Sequence, residues 1–239
     1  MIDTVKLHAQ NVRMIAHRGL SGMERENTNA AFVAAGNRSY YGIETDIHRT
    51  IDGHFIVYHD DTTLRLTDVD WNVEEHTLEE LRSLTLKDLD NYERADLVLP
   101  TLEEYIRICK KYGKISVLEL KNPFEFEDIQ RIVEIIQKED WLDETIFISF
   151  DLNNLIELRK LLPRQKLQYL VKQIKPELIS ILKMCSLDVD TDYVGLEPEH
   201  VKALHEAGCE INVWTVNDPD DGLRMAEMGV DFITTNILE

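Results

Sequence analysis

Short apolar, β-branched runs alternate with amphipathic helical stretches along almost the whole chain, and this rhythm limits the fold more than any motif does. VRMIA (12–16), GIETDI (42–47), KISVLEL (114–120), TIFISF (145–150), KLQYLV (166–171), DYVGL (192–196), EINVWTV (210–216) and DFITT (231–235) read as strands, with helical patterns between them. Strands separated by helices pair in parallel. Eight such units in 239 residues predict an α/β fold, a closed (β/α)8 TIM barrel, for which about 250 residues is typical. A doubly wound open sheet is the alternative. A ninth run, FIVYHD (55–60), follows the second strand after only RTIDGH. A parallel crossover needs about a dozen residues, so the Asp52-Gly53 turn makes this run an antiparallel hairpin partner. Residues 61–99 then form an insertion with a short helix at 77–84. The reading is one domain spanning 1–239.

The chain has 26 basic and 45 acidic residues, a formal charge of −19. Such an acid excess repels polyanions and argues against nucleic acid or an anionic membrane surface as partner; a small molecule fits better. There is no long uncharged apolar run to insert in a membrane and no signal-like opening, so the expected location is the cytoplasm. Cys109, Cys185 and Cys209 are widely spaced and odd in number, which predicts buried free thiols and neither a disulfide framework nor a thiolate metal site.

The second strand carries the unusual chemistry. Side chains alternate along a strand, so Glu44 and Asp46 share one face, with Ile43, Thr45 and Ile47 opposite. Two buried carboxylates lose hydration and repel one another, which costs several kcal/mol by rough estimate unless a cation or proton compensates. The rule that barrel enzymes gather their chemistry at the C-terminal strand ends brings in more: His17-Arg18-Gly19 ends the first strand, His59-Asp60 the hairpin strand, and Glu119 and Lys121 share a face at the end of the next. Glu44, Asp46 and Glu119 make an all-oxygen site suited to Mg²⁺, Ca²⁺ or Mn²⁺. Arg18 and Lys121 suit phosphate oxygens, and His17 and His59 titrate near neutrality as an acid/base pair requires. Together these residues describe phosphodiester cleavage, although salt bridges from Arg18 and Lys121 could neutralise the carboxylates without a metal. Trp214, at the end of a late strand, is a candidate substrate contact. His8, His48, His54, His76, His200 and His205 read as surface or loop residues without a role, and Asp60 either orients His59 or caps a turn.

These residues resemble, in order and in kind, the glycerophosphodiester phosphodiesterases, whose barrels group with the phosphatidylinositol-phospholipase-like enzymes. His17-Arg18-Gly19 is similar to the family's HRG, Glu26-Asn27-Thr28 to its ENT, Glu44-x-Asp46 to its ExD and Thr50-x-Asp52-Gly53 to its hairpin turn. His59-Asp60 is similar to its HD, Glu119-x-Lys121 to its ExK, Trp214-Thr215-Val216-Asn217 to its WTVN, and residues 229–235 to its closing strand. The resemblance spans residues 12–236. It implies a divalent cation on Glu44, Asp46 and Glu119, acid/base work by His17 and His59, and phosphate contacts from Arg18 and Lys121. It also implies hydrolysis of glycerophosphodiesters to sn-glycerol 3-phosphate and an alcohol, with a cyclic phosphate as one route. Arg25 stands where the family usually has Pro, Phe232 where Gly is common and Asn236 where Asp is common, which questions the rigidity of the first loop and the role of the last. The acidic insertion (Asp68, Asp70, Glu74, Glu75) is expected to sit over the strand ends and to favour a cationic head group. Two rivals stay open: a lysophospholipase D-like enzyme acting on lysophospholipids, which needs an apolar lip that the sequence does not reveal, and a non-catalytic phosphate-binding barrel.

Overall fold

The computed structural model describes residues 3–8 and 11–239. Eight parallel strands close on themselves: β1 (Arg13–Ala16), β2 (Gly42–Arg49), β4 (Ile115–Leu120), β5 (Thr145–Ser149), β6 (Leu167–Val171), β7 (Asp188–Asp192), β8 (Ile211–Trp214) and β9 (Phe232–Thr235). Each pairs with the next in that order, and β1 pairs with both β9 and β2, which shuts the barrel. β3 (Phe55–Val57) pairs antiparallel with the end of β2, Ile47 opposite Val57 and Arg49 opposite Phe55, as the short link demands.

The helices that cross between strands carry their own start and stop signals. Thr28 caps α1 (Asn29–Gly36) by accepting from Ala31 N. α3 (Leu102–Tyr112) opens on a capping box, in which Thr101 and Glu104 satisfy each other's backbone N–H groups, and it ends at Gly113 in the left-handed region. α4 (Phe126–Lys138) buries Ile129, Ile132, Val133 and Ile136 along one stripe, each worth about 1.5–3 kcal/mol in removed apolar surface. α5 (Leu152–Leu161), α6 (Leu178–Cys185), α7 (Pro198–Glu206) and α8 (Pro219–Met228) complete the outer ring.

Strand alternation divides the core in two. Ile43, Ile47, Leu118, Leu120 and Phe147 point outward into the layer shared with the helices. Ile15, Val117, Ile146, Ile148, Leu170 and Phe232 fill the barrel interior. The insertion is ordered around a third cluster, in which Leu66, Val73, Leu81, Leu86 and Leu97 pack on Ile56 and Tyr58; it contains the one-turn helix α2 (Leu78–Arg82).

Two expectations are corrected. The sixth barrel strand lies at Asp188–Asp192, and the predicted run 192–196 is instead a 3-10 turn at Tyr193–Gly195. The true strand reads DVDTD, whose acids look like a loop, while Val189 and Thr191 are buried and Asp190 points inward. His48 is not a surface residue: it sits on β2, fully buried, beside Glu74 and the carbonyl of His59. The cysteines are free, with Cys109 and Cys209 buried and Cys185 half-buried.

Candidate active site

The parallel register fixes the carboxylates. Pairing β2 with β4 sets Asp46 directly opposite Glu119 and Glu44 opposite Val117, all inward. The oxygens of Glu44, Asp46 and Glu119 lie within 4.8 Å of one another, and the three residues are 1–6% exposed. Three charges this close and this dry cannot all stand unaided. Burial and the neighbouring Asp46 push the Glu44 carboxyl well above its ordinary range, and the same two causes push Glu119 up to about 8 against the pull of Lys121. Burial opposes ionisation of Asp46 too, but Arg18, Lys121 and the amide of Asn27 outweigh it and hold that carboxyl well below the usual range. Lys121 Nζ lies 2.9 Å from Glu119 and 3.4 Å from Asp46, and Arg18 Nε lies 3.5 Å from Asp46. The two cations therefore only partly compensate the cluster, and a hard divalent cation fits the remaining oxygen donors.

The loop after β1 is wound tightly to present its groups. Arg18 adopts φ +53° and Gly19 φ +77°, the left-handed region that costs a non-glycine residue about 1–3 kcal/mol and collects at functional sites. A Cβ at position 19 would lie 2.7 Å from the Ala31 backbone, so only glycine fits. The turn sends the Arg18 N–H to Glu44 Oε2 at 2.8 Å and the Arg18 guanidinium to Glu26 at 2.7 Å. Arg25 donates to the carbonyls of Lys87 and Asp88, so the residue replacing Pro ties this loop to the insertion.

Both imidazoles are held by Nδ1. His17 Nδ1 lies 2.7 Å from Asn236 Oδ1, which also accepts from Ser21 Oγ at 3.0 Å. His59 Nδ1 lies 2.6 Å from Asp60 Oδ1, and Asp60 in turn accepts from Arg65 Nε. Each partner oxygen can only accept, so each Nδ1 carries a proton and each Nε2 is left free for the pocket. Burial, then Arg18, lowers His17 to about 4, with the Asn236 hydrogen bond opposing. His59 is also lowered by burial, Arg18 and Lys121, with Asp46 and Asp60 pulling the other way.

Seven of the eight residues selected from sequence, His17, Arg18, Glu44, His59, Glu119, Lys121 and Trp214, line one pocket of about 110 Å³ at the C-terminal strand ends. Asp46 lies just behind, beneath Arg18 and Lys121. Sequence reasoning missed two residues here. Asp190, 2% exposed, lines the pocket with Oδ1 unpartnered, hidden by the displaced strand. Asn236 holds His17, although its departure from the family pattern had marked it for attention. No residue of the 61–99 insertion lines the pocket. Its acids are engaged elsewhere, Asp68 with Lys87 and Glu74 with His48 and Asn122. The family model for the glycerophosphoryl diester phosphodiesterase family matches residues 17–239. A glycerophosphodiester phosphodiesterase of Caldanaerobacter subterraneus subsp. tengcongensis is 31% identical, the match covering 93% of each chain. Among solved structures, an Oleispira antarctica phosphodiesterase in complex with the product sn-glycerol-3-phosphate is 27% identical with a TM-score of 0.85, covering 97% of this chain and 96% of that one. A glycerophosphodiester phosphodiesterase from Parabacteroides distasonis is 30% identical with a TM-score of 0.81, covering 95% and 93%.

Proposed function

The chain belongs to the glycerophosphoryl diester phosphodiesterase family and is a phosphoric diester hydrolase; on that premise we propose that it is a single-domain, divalent-cation-dependent enzyme that converts a glycerophosphodiester and water to sn-glycerol 3-phosphate and a free alcohol. The observation that carries this reading is one pocket holding three buried carboxylates, two basic side chains and two imidazoles with free Nε2 atoms. Glu44, Asp46 and Glu119 are the residues that would hold the cation. When bound, it polarises a phosphoryl oxygen as a Lewis acid. Arg18 and Lys121 take the other phosphoryl oxygens and offset the charge that grows there during transfer.

His17 rests on a neutral amide beside the Arg18 cation, so it stays unprotonated and its Nε2 is the base. His59 rests on the Asp60 carboxylate, which opposes the lowering by burial, Arg18 and Lys121 and stabilises its imidazolium when it forms; of the two it is the one that enters the reaction protonated, as the acid. The glycerol 2-hydroxyl gives its proton to His17 as its oxygen attacks phosphorus; the bond to the alcohol breaks, and His59 protonates the departing oxygen. Water then opens the cyclic phosphate with the two imidazoles in exchanged roles. The test is release of glycerol 3-phosphate from glycerophosphocholine and glycerophosphoglycerol by metal-free protein, with Mg²⁺, Ca²⁺ or Mn²⁺ added back and EDTA as control. Release that needs a metal supports the reading, and no release with any of them refutes it. Phe150, 41% exposed at the pocket edge, is the apolar group a lysophospholipid would use. Faster release of lysophosphatidic acid from lysophosphatidylcholine would replace the substrate.

None of the described helices is long and apolar enough to cross a membrane.

A further inference from the structure

The catalytic pocket is too small for a whole diester. Ligand clefts usually measure about 300–1,000 Å³, and this one, at about 110 Å³, has room for a glycerol phosphate and little else. Its inner wall is polar and unsatisfied: Asp190 Oδ1 and Trp214 Nε1, an acceptor and a donor, are buried without partners, a combination that matches the hydroxyls of glycerol. The glycerol half therefore belongs inside, and the alcohol must leave the pocket across its rim.

The rim opens onto a second cavity. A trough of about 540 Å³ shares Phe150 and Leu170 with the catalytic pocket and runs over the loop that follows β6 to the start of α6. Phe150 stands edge-on to Trp214, ring centroids 5.9 Å apart, and forms the divide between the two spaces. The far side of the trough carries Lys172 and Lys175, both exposed, and its sole carboxylate is Glu177. In a chain of formal charge −19, these two lysines put positive charge at the edge of the trough. Lys160, Lys166 and Lys202 each stand within 4.0 Å of a glutamate, whereas Lys172 and Lys175, like Lys111, Lys138 and Lys183, join no ion pair among the described residues, so their ammonium groups are available to a ligand in the trough. The acids of the insertion, which would have favoured a cation, are outside both cavities.

We propose that this trough is the leaving-alcohol subsite and that Lys172 and Lys175 select diesters whose alcohol carries an anionic group, a carboxylate or a phosphate. The proposal rests on the phosphodiesterase reading above. Phe150 and Leu170 cover the carbon skeleton of the alcohol, and the two ammonium groups meet its charge at the solvent edge. Such exposed contacts are weak singly and sensitive to salt.

The test compares kcat/KM of the metal-loaded enzyme on four diesters that share the glycerol half: glycerophosphoglycolate (carboxylate), glycerophosphoglycerol bearing a terminal phosphate, plain glycerophosphoglycerol (neutral) and glycerophosphocholine (cationic). The expected result is a preference for one or both anionic diesters over the neutral one of about threefold to thirtyfold. It shrinks in high salt, and K172E/K175E reverses it. The carboxylate and phosphate arms separate the two sources of charge. An equal or lower rate on both anionic diesters, or an anionic-to-neutral ratio that K172E/K175E leaves unchanged, overturns the subsite while leaving the phosphodiesterase reading intact. Failure to hydrolyse any of the four with Mg²⁺, Ca²⁺ or Mn²⁺ overturns both.

Discussion

Two arcs of the same barrel rim bury polar side chains at similar depth and manage the cost in opposite ways. The arc of β1, β2 and β4 gathers charge: Glu44, Asp46 and Glu119 lie against Arg18 and Lys121. The arc of β6 to β9 carries Gln168, Asn212 and Thr234, joined by an amide contact of 3.3 Å and a hydroxyl contact of 3.1 Å, and beside them Asp190, its carboxyl pushed up by burial and by Glu119. The first arc is under-compensated in charge and the second in hydrogen bonds. One invites a cation and an anion, the other an uncharged polyol. The contrast teaches that a strand-end polar residue is best understood by what it lacks.

The largest effects are expected where proton transfer is removed. His17→Ala and His59→Ala should each lower kcat by about 10²–10⁴-fold with little change in thermal stability; two variants of near-normal rate would show that neither imidazole is an acid or base. Glu119→Gln should come next. It removes a proposed cation ligand and a buried repulsive charge together, so activity should fall by more than about tenfold while the metal-free protein gains roughly 1–3 kcal/mol at pH 8. Calorimetry with and without Mg²⁺ reads both, and a metal-free variant that melts earlier yet keeps its full response to Mg²⁺ would erase the distinction between the arcs.

Stability against pH gives a smaller and signed effect. Glu119, raised from 4.5 to about 8, binds its proton more tightly folded than unfolded. Its contribution is complete below 4.5 and is lost as pH rises through about 8, in company with Glu44. His17, lowered from 6.5 to about 4, contributes above 6.5 and loses that contribution as pH falls. Between pH 6.5 and 8 the carboxylates act alone, so the metal-free protein should melt at falling temperature across that window, and a bound cation should flatten the slope. A melting temperature that climbs through the window without metal would contradict the charged-arc assignment. The smallest change belongs to the other arc. Asp190→Asn should raise KM about threefold to tenfold, the worth of one hydrogen bond, and alter urea stability by less than about 1 kcal/mol. An unchanged KM would remove Asp190 from the substrate.

Much of the site was legible because strand pleating is a local rule. Positions 44 and 46, and 119 and 121, had to share faces, and so few residues between two apolar runs had to make a hairpin. The same rule carried one step further reaches His48, which was read as a loop residue although it continues the face of Glu44 and Asp46 and is buried. Asp190 was lost for another reason. Inward-facing acids on β7 dilute its apolar signal, and the denser run at 192–196 drew the prediction four residues downstream, away from the pocket.

The sequence by itself determined the strands and crossovers of most of the barrel, the faces of its strand-end residues and the candidate side chains for phosphodiester chemistry, because backbone alternation, turn residues and link lengths act over a few positions. Only the tertiary structure decided that Asn236 holds His17, that Asp190 and Trp214 are left without partners, and that the trough opens past Phe150 rather than beneath the insertion. Those contacts join residues up to 219 positions apart, and they exist only because β9 and β2 both pair with β1 and close the sheet on itself.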